Sequence, residues 1–330
     1  MSIRDVARAA DVSATTVSHA LNGKGRVDAD TRARVLAIAR QLGYRPNRIA
    51  QGLASGRTSN LALLLPSEMN DHDFQSRLLE VDFYLELTVS CVREAFEREH
   101  AVLLLPPPET VDDLGRFGID GAIVVSTQIG DPRLELFDSV GLPYVSVDRD
   151  PSRGDEPWWV GPDNRGNTRE LLEHVARTGV DRVAMLSVDS QWCWFQESLD
   201  AYREWARERG QEPMTSLLAG RDPESAEAAA GALLDRQPDA IYAPPQWLAT
   251  AVLRVASQRG IRVPEDLLVA TGVDSALART SEPPVTAIDL RPREIAARAV
   301  AALLDRIDGK PPRADHRTGA ELRVRHSTSR

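Results

Sequence analysis

Apolar residues recur at helical spacing in three short stretches at the start of the chain. Ile3, Val6, Ala7 and Ala10 fall on one face of a helix opening at Ser2, and Asp5 three residues on gives a capping-box pattern. "ADVS" breaks that spacing, and Ser13 can cap a second helix over residues 14 to 21. Val17, Ala20 and Leu21 form its apolar face, leaving Thr15, Thr16, Ser18 and His19 on or near the other. "NGKG" ends it with two glycines able to take positive φ. A third helix is predicted from about Ala29 to Leu42, with Val35, Leu36, Ala39 and Leu42 turned inward and Gly43 closing it. Three short helices with a tight turn between the first two describe a helix-turn-helix unit, whose second helix enters the DNA major groove. Short polar side chains there let the backbone lie close to base edges, and their hydroxyls can serve bases or phosphates. An ordinary three-helix mini-domain satisfies the same spacing.

From residue 60 onward the pattern changes. Apolar runs at "LALLLP", "AVLLLP", "GAIVVS", "PYVSVD", "RVAMLS", "DAIYAP" and "LLVATG" alternate with helical stretches such as "TRELLEHVARTG", "ESLDAYREWARERG" and "ATAVLRVASQRG". Short buried strands joined by helical crossovers imply parallel α/β sheets. About 270 residues is generous for one sheet and predicts two doubly wound lobes. No apolar run approaches the roughly 18 residues a membrane span needs, so no membrane partner is expected.

Charge sharpens the division. Residues 1 to 60 hold ten basic and four acidic residues, a head of +6, which leaves −15 for the rest of a chain whose formal charge is −9. A basic head on an acidic body suits a head that meets a polyanion while the body stays away from it. A solvated basic surface has the same composition. The 330 residues, 42% hydrophobic and 27% charged, fit two or three soluble globular domains. "MSIRDVARAADVS" has no basic start followed by an apolar core, so a cytoplasmic protein is expected. Cys91 and Cys193 have neither metal-ligand spacing nor the look of a disulfide framework. Lys24 and Lys310 are the only lysines, a skew toward arginine that reads as genomic base composition rather than function.

Catalysis finds little footing. No nucleophile, base and orienter stand out, and no glycine-rich phosphate loop follows a strand. "DHD" at 71 to 73 puts three adjacent residues on no common face and reads as a solvated loop. No cofactor, no metal and no enzyme activity are expected. "DSQWCWFQE" (189 to 197) places Trp192, Trp194 and Phe195 at the C-terminal end of a strand, the end that faces ligands in open α/β sheets. These rings either stack on a sugar or flat metabolite or form a hydrophobic lobe contact.

The stretch from Ser2 to about Thr58 resembles the DNA-binding head of LacI-type transcriptional regulators. "DVA", "TVS", "LNG", "TRARVL", "LGYRPN" and "GLASG" come in the family's order and spacing. The resemblance implies a helix-turn-helix head (1–46) and a hinge helix with linker (47–59). It implies a periplasmic-binding-protein-like body of two lobes (60–160 with 289–330 crossing back, and 161–288). It implies a homodimer, without a tetramerising coiled coil, on a pseudo-palindromic operator. Ala14, Thr15 and His19 would read bases, Thr16 and Ser18 would hold phosphates, and Asn22 and Arg26 would serve the flank. Ser2, Thr31, Tyr44, Asn47 and Gln51 join the implied DNA-contacting set. Leu53 matches the leucine wedge that opens a base step in the minor groove, with Ala54 beside it. Gly52, Ser55 and Gly56 make a lone helix there unstable, so the hinge is expected to fold only on its partner. His19 stands where well-known members carry an arginine that reads guanine.

In the body, "VGPDNRG" and "RGIRVPEDLLVATGVD" match family landmarks, and Asp274 keeps the family's aspartate. The ligand cleft departs from the pattern. The arginine of many sugar-sensing members falls on Ser198, and the usual Asn-Asp falls on Pro245 and Gln246. The early Asn-Pro-Phe-Phe is replaced by the insertion "SEMNDHDFQSRLLE" and then Phe83 and Tyr84. The implied effector-binding set is therefore Phe83, Tyr84, Asp163, Trp192, Trp194, Ser198, Gln246 and Asp274, for an unidentified sugar or other metabolite. A transport-type solute-binding protein without gene regulation is the competing reading of the body, and the DNA-binding head argues against it.

Overall fold

The computed structural model describes residues 1–22, 26–44, 57–66, 82–220 and 222–329. Contacts divide the chain into two units, Met1–Thr58 and Ser59–Arg330.

The first unit is built from α1 (Ile3–Ala10), α2 (Ala14–Asn22) and α3 (Ala29–Gln41). Their inward faces meet at Val6, Ala7, Ala10, Val17, Ala20, Val35 and Ala39, all buried. The caps at Ser2 and Ser13 are those the spacing predicts, and Asp28 adds one on α3. The Asp5 carboxylate accepts from both the Ser2 N–H and hydroxyl at 2.9 Å. The Thr16 N–H donates to Ser13 Oγ at 3.0 Å, and the Thr31 N–H to Asp28 Oδ1 at 2.8 Å. Each cap satisfies a donor that the first turn of a helix leaves unpaired. These bonds hold the Asp5 and Asp28 carboxyls below the usual carboxylate range.

The second unit holds two parallel sheets. The six-stranded sheet uses β1 (Asn60–Leu64), β2 (Ala101–Leu105), β3 (Gly121–Val124), β4 (Tyr144–Val147), β5 (Trp159–Pro162) and β11 (Arg317–Thr318). Their order is β11-β5-β4-β3-β1-β2. Connecting helices are α4 (Asp82–Glu97), α5 (Val111–Gly115) and α6 (Pro132–Val140). The four-stranded sheet uses β6 (Val183–Val188), β7 (Met214–Leu218), β8 (Ala240–Ala243) and β9 (Leu268–Thr271), in the order β7-β6-β8-β9. Helices α7 (Asn164–Ala176), α8 (Cys193–Glu208), α9 (Pro223–Leu234), α10 (Gln246–Gln258) and α11 (Ala276–Thr280) accompany it. A short antiparallel pair, β10 (Ala287–Asp289) and β12 (Glu321–Arg323), completes the strands. Between them α12 (Pro292–Ile307) returns to the first sheet, burying Ile295, Ala296, Ala299, Val300 and Leu303 beside Leu61, Leu87 and Ile123.

The strands β1, β3, β4, β6, β8 and β9 are almost wholly buried, because helices cover both faces of a parallel sheet. No helix among the described residues is long and apolar enough to cross a membrane.

Candidate functional site

In the three-helix unit, Thr15 and His19 lie on the face of α2 away from its core, whereas the predicted reader Ala14 packs partly against that core. Thr15 is exposed; Ala14, Thr16, Ser18 and His19 are half-buried. The Thr16 hydroxyl lies 2.8 Å from Ser13 Oγ, and the Ser2 proton is spent on Asp5. A phosphate contact from Ser2 would have to trade that bond. Arg26 is exposed, Thr31 sits in the capped first turn of α3, and Tyr44 packs its ring against the small core. The backbone of Asn22 ends α2. Asn47, Gln51, Leu53 and Ala54, and with them the hinge, lie outside the described residues, as do the "DHD" stretch and the insertion around it.

In the second unit, the C-terminal ends of both parallel sheets approach one another. The approach is stitched by backbone. The Ile129 N–H donates to Gln191 O and the Cys193 N–H to Thr127 O, both at 2.9 Å, on either side of an isolated antiparallel bridge between Gln128 and Trp192. Phe83 packs against the cores of both sheets and meets Tyr84 edge-on at 5.3 Å. The Tyr84 hydroxyl lies 2.7 Å from Ser126 Oγ, beyond β3. Asp82, at the start of α4, reaches the other sheet's α11, where it accepts from Arg279 at 2.7 Å.

The aromatic group divides between core and cleft. Trp192 and Phe195 are buried and stack at 5.5 Å with planes 8° apart, so they spend their faces on each other. Trp194 is only partly buried, and its ring lies over Gly272. A Cβ at Gly272 would sit 2.9 Å from Trp194 Cζ2 and 3.0 Å from the Tyr242 hydroxyl, so no larger residue leaves this approach intact.

Ser198 is fully buried and accepts from the Thr168 hydroxyl at 3.3 Å, and Tyr242 Oη lies 3.4 Å from the same Thr168 oxygen. Burial pushes the Tyr242 phenol up to about 12, so it stays protonated. These three hydroxyls form a buried cluster. Gln246 opens α10 with a buried Oε1 that has no hydrogen-bond partner. Asp274 is held by Arg325 at 2.8 Å and Arg279 at 3.4 Å. Asp163 caps α7 through the Gly166 N–H at 3.2 Å and pairs with Arg317 at 2.9 Å.

Two carboxylates were not singled out by the sequence reading. Asp148 follows β4 and Glu197 lies near the start of α8; both accept from Asn164 Nδ2, at 3.1 and 2.8 Å. The available signal was position, because each follows a parallel strand at its ligand-facing end.

Comparison with known proteins settles the class. Residues 2–47 match the family model for bacterial regulatory proteins of the lacI family, and residues 172–328 match a periplasmic binding protein-like domain. The HTH-type transcriptional regulator CelR of Thermobifida fusca is 33% identical over 92% of this chain and 91% of its own length. The regulator DegA of Bacillus subtilis is 30% identical over 99% of this chain and 98% of its own. The chain belongs to the LacI family. A solved CelR–cellobiose complex superposes with a TM-score of 0.71 at 28% identity, covering 99% of each chain. The lac repressor dimer bound to operator and the anti-inducer ONPF superposes with a TM-score of 0.80 at 20% identity, again over 99% of each, and shows the shared fold. Family members are DNA-binding transcriptional regulators, not enzymes.

Proposed function

We propose that this LacI-family chain is a homodimeric repressor that reads a pseudo-palindromic operator and answers a small sugar or other metabolite. The observation that carries the reading is the three-helix unit, with Thr15 exposed and His19 half-exposed on the helix that a helix-turn-helix lays in the major groove. Ala14, Thr15 and His19 read base edges. Thr16, Ser18, Arg26 and Tyr44 serve the backbone and flank. The head is residues 1–46, the hinge 47–59, and the body two lobes dividing near residue 160, with the C-terminal segment returning to the first. It works in the cytoplasm, where its DNA is.

The dimer reading is supported by an apolar stripe on α4. Leu85, Val89, Val92 and Phe96 recur along one face and are exposed, as is Leu104 on the edge strand β2. A single-copy surface rarely leaves such a stripe uncovered. Phe96→Glu should convert a dimer to a monomer in light scattering while leaving the far-UV circular dichroism unchanged. An intact Phe96→Glu dimer would move the interface elsewhere.

The experiment for the whole reading is a gel shift on the DNA upstream of the protein's own gene. Six to ten phosphate contacts predict a fall of about 10³–10⁵ in affinity between roughly 50 and 200 mM salt. No shift at low salt at any protein concentration refutes the regulator. Leu53→Ala should weaken operator binding by at least about tenfold, ~1.4 kcal/mol, and reduce the DNA bend. Effector binding should persist in that variant, and an unchanged bend angle removes the wedge. The effector is proposed to sit between the sheets, near Trp194, Gln246 and Asp274. CelR, a relative, is solved in complex with cellobiose, which makes a saccharide the first effector class to test.

A further inference from the structure

Asp148, Asn164 and Glu197 come from three separate elements and meet where the two parallel sheets face each other. The single amide nitrogen of Asn164 gives one hydrogen to each carboxylate, at 3.1 and 2.8 Å. Asn164 itself is buried, and the Asp148 side chain lies against β5, where a Cβ on Gly161 would stand 3.2 Å from its Oδ1. Among the described residues neither carboxylate forms an ion pair.

The surrounding charges are already committed. On the first sheet's side, Asp131 is paired with Arg133 at 2.6 Å, and Asp150 accepts from the Gly130 N–H, the Ser152 N–H and the Ser152 hydroxyl. Arg149 turns to Gly154 O and Asp155. On the other side, Arg165 is engaged by Asp200 and Glu204, and Arg317 by Asp163. These two arginines attract Glu197 only at a distance, and Asp163 opposes them. Burial first, and then the same acidic wall, pushes the Cys193 thiol far up, and it stays neutral. Two half-buried carboxylates bound to one nitrogen, with no cation in contact, favour the state in which one of them carries a proton.

We propose that Asp148, Asn164 and Glu197 form a proton-held clasp between the two sheets of the body, closed while the pair keeps one proton and opened when it is lost. Loss of the proton places two negative charges on either side of one amide, at a seam also held by the Ile129–Gln191 and Cys193–Thr127 backbone bonds, by Phe83 and by Asp82 on Arg279. Repulsion then drives α8, with Glu197, away from Asp148. The clasp needs no effector and makes the lobe arrangement a function of pH.

Burial, followed by the Glu197 charge, pushes Asp148 up to about 7, with the Asn164 hydrogen bond opposing both, and burial likewise raises Glu197. The folded protein therefore keeps a proton that the unfolded chain releases near the usual carboxylate range. Stability falls as pH rises from about 4 to about 7 and is flat above, as far as this pair controls it.

The test is small-angle X-ray scattering of the full-length ligand-free protein from pH 5.5 to 8.5. The wild type should expand, with a midpoint near 7. Asp148→Asn and Glu197→Gln should each keep the compact dimensions at both ends of the range. Should Asp148→Asn fail to fold, Glu197→Gln carries the comparison. In the wild type alone, amide exchange at Ile129 and Cys193 should accelerate above pH 7 beyond the intrinsic base-catalysed rate. Unchanged wild-type dimensions, variants that expand like the wild type, or exchange that follows the intrinsic rate would each overturn the clasp.

Discussion

Replacing Arg133 by alanine is expected to cost about 3–5 kcal/mol, because it strands the Asp131 carboxylate in the protein interior. The two side chains are 5% and 1% exposed and lie 2.6 Å apart, so solvent can neither screen the pair nor replace the lost partner. Arg133 does more than neutralise Asp131. Its guanidinium donates to Leu65 O at 3.2 Å, Val125 O at 3.3 Å and Ser126 O at 3.2 Å, tying the exits of β1 and β3 to the first turn of α6. Those carbonyls end adjacent parallel strands and find no ladder partner beyond them. For a body of this size the loss corresponds to a fall on the order of 10 °C in the thermal midpoint. Arg133→Lys should recover only a fraction, since one ammonium cannot span three carbonyls and both Asp131 oxygens. Thermal and urea unfolding of the two variants check this. A change under about 1 kcal/mol in Arg133→Ala would mean that water enters the site.

The same pair shows what a sequence reveals and what it hides. All seven apolar runs in the sequence became strands, β1, β3, β4, β6 and β8 inside the sheets and β2 and β9 at their edges. The edge strand β7, half-exposed as "MTSLL", and the two- and three-residue β10, β11 and β12 carry no such run, because exposed or very short strands need no apolar faces; β5, "WVGP", is buried but its apolar run is broken by Gly161 and Pro162. The caps at Ser2 and Ser13 were legible because they act within three residues.

Side-chain meetings across the body were not legible. Asn164 finds Asp148 16 residues back and Glu197 33 residues on, and Asp82 finds Arg279 197 residues away. Only the topology of two facing sheets brings them together. The aromatic cluster was readable as a pair of alternatives, and packing separated them by residue. Trp192 and Phe195 became core because they stack on each other, while Trp194, tilted on Phe195 at 4.6 Å and lying over Gly272, stays half-buried.

His19→Arg should redirect operator preference rather than abolish binding. His19 is half-exposed on α2, one turn beyond Thr15, on the face that carries no core residue. An imidazole offers at most one well-aimed hydrogen bond to a base edge from one ring nitrogen. A guanidinium presents a fork that matches O6 and N7 of guanine together, and such a bidentate pair discriminates by about 1–3 kcal/mol. The variant should therefore gain roughly ten- to a hundredfold preference for guanine at the facing position of each half-site, twice over in a dimer. Phosphate contacts from the rest of the head are untouched, so affinity for random DNA and its salt slope should change by no more than one added charge per subunit. Selection from randomised half-sites reads the outcome directly. If wild type and His19→Arg return the same base, His19 faces the backbone, and specificity at that step rests on Ala14 and Thr15. A change confined to one base position in each half-site fixes both the register of α2 in the groove and the symmetry of the operator.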